Sequence, residues 1–278
     1  MLRLFSIELQ KLRYNKAAKV ISIVYFVLIT FIALIASIEF NFGNVNFRVA
    51  DQGIFNFPYI WHFNTWVAAL LKLFLAIVIV SMMANEYSHR TLKQNLIDGL
   101  SKKEFIMSKF ITVVGFAVVS TIFVFIVSLI LGLIFSDFTE IGILFSDMEY
   151  LLAYFIKLVG FFSFCLFLGI LVKRSAFALG FLLIWTIFES ILIGLLKWVF
   201  FKGTEVGSTV GQFLPLEAMS NLIVEPFSRL GAVKSAASQL GEGFTKSYEV
   251  QWQSVLIVLV WTVLFIYLSY AVIKKRDL

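Results

Sequence analysis

Two ionisable side chains, Lys72 and Glu189, lie inside long apolar runs. On a helix rising 1.5 Å per residue, Lys72 is about 16 Å from Trp61 and Glu189 about 18 Å from Phe177. Both depths fall near the middle of a bilayer, where an unpaired charge is costly. Opposite signs at matched depth predict one of two things: an internal ion pair joining two spans, or a polar lining for a transport path. Lys157 and Lys197 fall nearer an interface, where lysines snorkel. Other chemistry is missing from the pattern. There is no G-x-x-x-x-G-K-[ST] loop to cradle a nucleotide phosphate, and no H-E-x-x-H. There is no G-x-S-x-G nucleophile elbow. His62 and His89 are expected on opposite sides of the membrane and so cannot share a metal. The expectation is a protein that is not an enzyme, with no catalytic residue, metal or cofactor site in this chain.

A second stretch, 85–109, reads NEYSHRTLKQNLIDGLSKKEFIMSK and separates two apolar runs. Thr91 and Gln94 have the Thr-x-x-Gln spacing of a capping box, and Ser101 and Glu104 repeat it as Ser-x-x-Glu. Such boxes satisfy the orphan N–H groups at a helix start. Gly99 sits where a short first helix would end in a left-handed residue. The pattern predicts a helix over 92–98, a turn, and a new helix from Lys102 into the next apolar run. Leu92, Leu96 and Leu100 fall four apart and make one apolar stripe. A short capped helix between two spans is suited to being gripped by a partner in the aqueous phase.

These residues need a frame, and composition supplies it. The chain has 278 residues, is 60% hydrophobic with 32 Phe, and is only 14% charged. Its mean hydropathy is +0.95. Soluble domains are about 45–50% apolar and about 25% charged, so the expected class is an all-α integral membrane protein, a single domain over 1–278. Cys165 is the lone cysteine, which excludes a disulfide within the chain. Six apolar runs, about 20–38, 61–84, 110–135, 150–172, 177–200 and 254–273, can each cross a core of about 30 Å. As lipid-spanning segments they must be helical, because no water satisfies their backbone. Residues 1–19 are amphipathic, with Leu2, Phe5, Leu9 and Leu12 on one face and Glu8, Lys11 and Lys16 away from it. That predicts a helix in the interface plane with its basic side toward headgroups, rather than a signal peptide.

Lys and Arg concentrate in 1–19, 85–109, 173–174 and 274–276, and the alternate aqueous segments are poor in them. By the positive-inside rule both termini and the 85–109 segment are cytoplasmic, in a multi-pass protein of the cytoplasmic membrane. This also accounts for the net charge of +6 without a nucleic-acid partner. Trp61, Trp198 and Trp252 fall near outer span ends, as an aromatic belt predicts. Gly160, Gly169 and Gly180 either allow close helix approach or are simply tolerated. Of the outer segments, 39–60 has no clear period and 201–253 is the largest. Within the latter, Pro215 is placed to start a short helix and Pro226 to stop it. Its face Leu216, Met219, Leu222 and Ile223 would rest on the membrane or cap the spans, unless the segment is a plain linker.

The central stretch resembles the ABC-2 family of permeases, the membrane subunits of a class of ABC exporters. That family often shows Glu, then Thr five residues on, as in Glu86 and Thr91, followed here by Leu92. It also often shows Ser-Arg, a Glu three after the Ser, and Gly-Lys entering the third span. Here these are Ser101-Lys102, Glu104 and Ser108-Lys109, with Arg90 where Gly is common. The six-span layout with both ends inside extends the resemblance over the chain. The resemblance implies a separate ABC ATPase, in two copies, carrying ATP and Mg, and a second permease copy or related permease. Coupling would run through Glu86, Arg90, Thr91, Leu92, Leu96, Leu100, Ser101 and Glu104. The competing classes are a membrane scaffold or assembly protein without transport, and a channel.

Overall fold

In the computed structural model the described residues are 2–42, 45–48, 53–202, 204, 206–229 and 247–276. Residues 230–246 of the outer 201–253 segment lie outside them. In order, the helices are α1 (Leu2–Tyr14), α2 (Lys16–Ser37), α3 (Tyr59–Leu70), α4 (Lys72–Ser88), α5 (Thr91–Ile97) and α6 (Lys102–Phe135). They continue as α7 (Ile141–Leu144), α8 (Glu149–Val172), α9 (Ser175–Leu195), α10 (Val206–Gly211), α11 (Pro215–Asn221) and α12 (Trp252–Lys275). A π-helical turn, Leu196–Phe200, prolongs α9. One short antiparallel hairpin, β1 (Glu39–Phe42) with β2 (Val45–Arg48), interrupts the helical class in the segment read as aperiodic.

Among the described residues five helical stretches are long and apolar enough to cross a membrane, or six if the bent pair α3–α4 forms one span. That pair is kinked by 45° at Leu71. There the Leu71 N–H bonds Ala68 O at 3.1 Å and the Phe74 N–H bonds Leu71 O at 3.1 Å, a tight turn in place of the α ladder. The apolar run expected at 61–84 is therefore two helices, and Lys72 begins the second.

The bundle is arranged around α8. Of its most apolar window 78% is buried, against 11% for α9, so α8 is the axis and α9 lies at the periphery. An all-round apolar helix needs neighbours on every side, and α3, α4, α6, α9 and α12 supply them. Two glycines make this close approach possible. A Cβ at Gly160 would meet Val258 Cγ1 at 2.8 Å, and one at Gly169 would meet Met83 Cβ at 3.0 Å and Val80 O at 3.4 Å. Around Gly180 nothing lies within 4 Å, so that glycine is merely tolerated.

Several polar groups in the core satisfy one another. Tyr25 Oη, Ser120 Oγ and Tyr154 Oη form a closed triangle with sides of 2.6, 2.7 and 2.8 Å. Three hydroxyls in a ring can each donate once and accept once, which joins α2, α6 and α8 without an orphan group. Asn64 donates to Ser128 at 2.9 Å, and the Trp61 indole donates to Leu144 O at 2.8 Å. Trp61 is fully buried rather than part of an aromatic belt, whereas Trp198 and Trp252 are exposed. At the same end, Pro215 starts α11 as expected. Met219, Leu222 and Ile223 are buried, so this segment caps α8 and α12.

The glycine contacts give a contrast that can be measured. Gly160→Ala forces Val258 and its neighbours to shift, and such overpacking costs about 1–3 kcal/mol. Gly180→Ala meets open space and leaves stability unchanged or slightly raised. Thermal unfolding of the two variants in the same detergent checks the difference; equal midpoints would remove Gly160 as a packing contact.

Candidate functional site

Four charged side chains meet where α1, α4 and α6 converge. Lys109, with a side chain 0% exposed, places its ammonium 2.5 Å from Glu8 Oε2 and 2.6 Å from Glu86 Oε1. Lys11 adds contacts of 3.1 Å to Glu8 Oε1 and 2.8 Å to Glu86 Oε1. Thr91 Oγ1 donates to the other Glu86 oxygen at 2.5 Å. Two carboxylates and two ammonium groups balance, as buried charges must. Lys11 is the one partly open to water. Its burial lowers its proton affinity, but the hydrogen bond to Glu86 and the charges of Glu8 and Glu86 outweigh this, leaving its pKa above the ordinary 10.5.

This cluster corrects the reading of the N-terminal helix. Glu8 is buried at 4% exposure while Leu9 is 47% exposed, so Glu8, expected to face headgroups, is turned inward, whereas Lys16 stays exposed. Lys109 is the reason: a dry ammonium needs carboxylates, and α1 rotates to bring one. Phe5, one turn before Glu8, follows it inward and packs against Gly115.

The cluster also resets the elbow formed by α5. The Thr91–Gln94 capping box does not form. Arg90 is the cap residue, in the left-handed region at φ 57°, with no side-chain bond to the helix. Thr91 is the first residue of α5 rather than its cap, and its hydroxyl donates to the buried Glu86 carboxylate, a charge-assisted bond. The freed Gln94 amide donates to Asp98 at 2.9 Å. The second box does form: the Ser101 hydroxyl accepts from Glu104 N at 3.2 Å, and Glu104 accepts from Ser101 N at 3.0 Å. Gly99 takes φ 97°, the left-handed residue expected there.

The leucine stripe points inward. Leu92 is buried at 2% exposure, and Leu96 and Leu100 pack half-buried on the chain's own core. They anchor α5 to the bundle rather than waiting for a partner. The outward face of α5 carries Lys93, Gln94 and Ile97, and Ile97 is 69% exposed. Between α1 and this elbow lies a cleft of about 540 Å³, walled by Lys11, Tyr14, Asn85, His89 and Thr91.

The same end of the bundle is fastened by cations on helix C-termini. Lys102 donates to the Lys274 and Arg276 carbonyls at 3.2 and 3.0 Å. Arg276 donates to Ile170 O at 2.6 Å, Leu171 O at 2.9 Å and Tyr87 Oη at 3.0 Å. These bonds satisfy carbonyls that a helix end leaves open. They also gather the ends of α4, α6, α8 and α12 at one end of the molecule.

The other predicted pair does not form. Lys72 Nζ sits 4.5 Å over the Phe161 ring. Glu189 accepts from Leu216 N at 2.9 Å and Glu217 N at 3.4 Å, at the start of α11. Both line one cleft of about 310 Å³ without touching. Backbone donors compete successfully for Glu189, and the break at Leu71 turns Lys72 toward α8. Lys157, expected to snorkel, is buried at 5% exposure. Among the described residues no group of three or more His, Cys, Asp or Glu could hold a metal.

Spacing alone did not single out Glu8, Lys11 and Lys109 as one unit. The only local signal was Glu8 and Lys11 one turn apart, a spacing that pairs on a helix.

Helices long and apolar enough to cross a membrane, packed on a buried central helix, give this chain the build of a multi-pass membrane protein. The chain belongs to the family described as "Protein of unknown function (DUF2705)", which matches residues 24–278. No curated protein matches it.

Lys109→Met leaves two buried carboxylates facing Lys11 alone, and breaking a buried pair this way costs about 3–5 kcal/mol. Adding Glu8→Gln restores one positive to one negative charge and recovers part of the loss. Unfolding midpoints of both variants in detergent test this; a single variant as stable as the parent would show that the cluster holds nothing together.

Proposed function

We propose that the chain is the permease subunit of an ATP-driven exporter of the ABC-2 type. It forms the translocation path with a second permease copy or a related permease. A separate ABC ATPase, in two copies, carries ATP and Mg and drives it. Both termini and the α5 elbow face the cytoplasm, in the cytoplasmic membrane. The observation that carries this reading is the mounting of α5. Thr91, Glu86, Lys109 and Glu8 link the elbow to α4, α6 and α1 through a dry charge cluster. A push on a helix held this way moves the spans, whereas a push on a loose loop is absorbed.

Two further details support the reading. The residues of the resemblance have structural work here: Glu86 and Lys109 pair at 2.6 Å, Thr91 joins them, and Ser101 with Glu104 caps α6. Arg90, where the ABC-2 pattern commonly has Gly, adopts φ 57°, a conformation glycine takes without steric cost. The contact with the ATPase is made by Lys93, Gln94 and Ile97. Leu92, Leu96 and Leu100 hold the helix from behind.

Ile97→Asp with Lys93→Glu places charge on the docking face while leaving the buried leucines intact. The variant reaches the membrane in normal amount and loses the ATPase on purification, whereas Leu92→Asp lowers the amount of protein itself, because it buries an unpaired charge. Pull-down of the ATPase alongside membrane abundance reads both. Full ATPase recovery with the double variant would remove α5 as the coupling element.

Orientation is tested separately. In a Cys165→Ser background, Asn95→Cys is expected to react with a membrane-impermeant thiol reagent only in inverted vesicles, and Gly142→Cys in intact cells. Labelling of position 95 from outside would invert the assignment.

A further inference from the structure

A second cleft, of about 420 Å³, adjoins the one that holds Lys72 and Glu189. Lys72, Lys157, Ser220, Asn221 and Glu225 contribute its polar wall. We propose that this cleft binds a phosphate-type anion, with the Lys157 and Lys72 ammonium groups as its ligands. The inference does not depend on ATP-driven transport.

Lys157 carries the argument. Its side chain is buried in the first half of α8, the most enclosed helix, yet it faces the cleft. None of the ion pairs or hydrogen bonds among the described residues includes it. Lys72 faces the same cleft with the Phe161 ring beneath it. A buried ammonium without a counter-charge is strongly unfavourable, and two that share a cavity also repel each other.

Glu225 stands in the wall of the same cleft, but among the described residues no carboxylate forms an ion pair with either ammonium group. Glu189 takes the backbone N–H groups of Leu216 and Glu217. Glu217 leans toward Lys197 at 3.9 Å. Glu225 accepts from the Ser228 backbone N–H at 3.2 Å and from its hydroxyl. An anion between the two ammonium groups removes both penalties, and Ser220 and Asn221 offer neutral donors beside it.

The surroundings favour an amphiphile as the source. Leu70, Leu73 and Leu183, at 58, 44 and 56% exposure, form an apolar apron on the adjoining cleft. An alkyl chain lying there would bring its phosphate to Lys72.

The test is thermal unfolding of the full chain in a neutral detergent, titrated in separate arms with dodecyl phosphate, inorganic phosphate and dodecanol. Dodecyl phosphate is expected to raise the wild-type midpoint with concentration, as a ligand of the folded state does. Dodecanol is not. In Lys72→Met/Lys157→Met the apparent affinity falls roughly 30-fold or more, the loss expected when a buried charged partner is removed. Its midpoint without ligand is no lower than wild type, because two uncompensated buried charges are gone. The exposed-site control Lys19→Gln keeps the full shift. An equal shift with inorganic phosphate supports the site and assigns its anion to solution; a shift with dodecyl phosphate alone assigns it to a lipid. Equal shifts in wild type and double variant, or no shift with either phosphate, overturn the proposal.

Discussion

The ammonium of Lys109, shut away from water and shared between Glu8 and Glu86, is the contact on which one end of this molecule depends. It sits on the first turns of α6, and its partners come from α1 and the end of α4. Dehydrating these groups costs several kcal/mol for each ion, so the arrangement survives only with matched charge and good geometry. Lys11 supplies the match, and Thr91 fills the remaining acceptor position on Glu86. From that follow the rotation of α1, the direction of α5, and the inward turn of the leucines behind it.

The opposite end solves the same problem with different groups. There the His62 ring stacks on Tyr150 at 4.2 Å and its Nε2 bonds Val224 O at 2.8 Å, while Arg229 approaches its Nδ1 at 3.2 Å. That pattern assigns the proton to Nε2, because the guanidinium can only donate. The Arg229 guanidinium lies 5.2 Å from the Tyr59 ring and 5.5 Å from the Tyr248 ring, where aromatic faces attract it. Between the two ends, hydroxyls and glycines do the joining. A bilayer offers no water to polar groups, so most find a partner inside the bundle; among the described residues Lys157, the Trp185 indole N–H and the Ser269 hydroxyl do not.

How much of this was legible follows from what local rules can encode. The helical class, the candidate spans, the Ser101–Glu104 box, the left-handed Gly99 and the Pro215 start are all set within a few residues, and the sequence displays them. That Lys72 and Glu189 come near one another was legible too, since both line one cleft. Direction around a helix was not. Lys72 and Glu189 were placed at matching heights, but the kink at Leu71 and the donors of Leu216 and Glu217 decide where each side chain ends up. The same limit applies to stripes. Spacing shows that α1 and α5 each have an apolar side, but not what covers it. For Leu92 the cover is the chain's own core. For α1, a lysine about a hundred residues downstream in the chain draws Glu8 into the covered side beside Phe5, while Leu9 is left outside.

That separation has a consequence in time. Glu8 and Lys109 are 101 residues apart. Chains grow at about 5–20 residues per second, so Glu8 waits on the order of 5–20 s for its partner to be synthesised. Glu86 arrives a little earlier, 23 residues before Lys109. In that interval Glu8 has Lys11, three residues away on its own helix. The first helix thus begins its life with its one carboxylate already paired and its remaining charge basic, free to lie along the membrane surface. It is drawn into the protein only when the third apolar run begins to emerge from the ribosome.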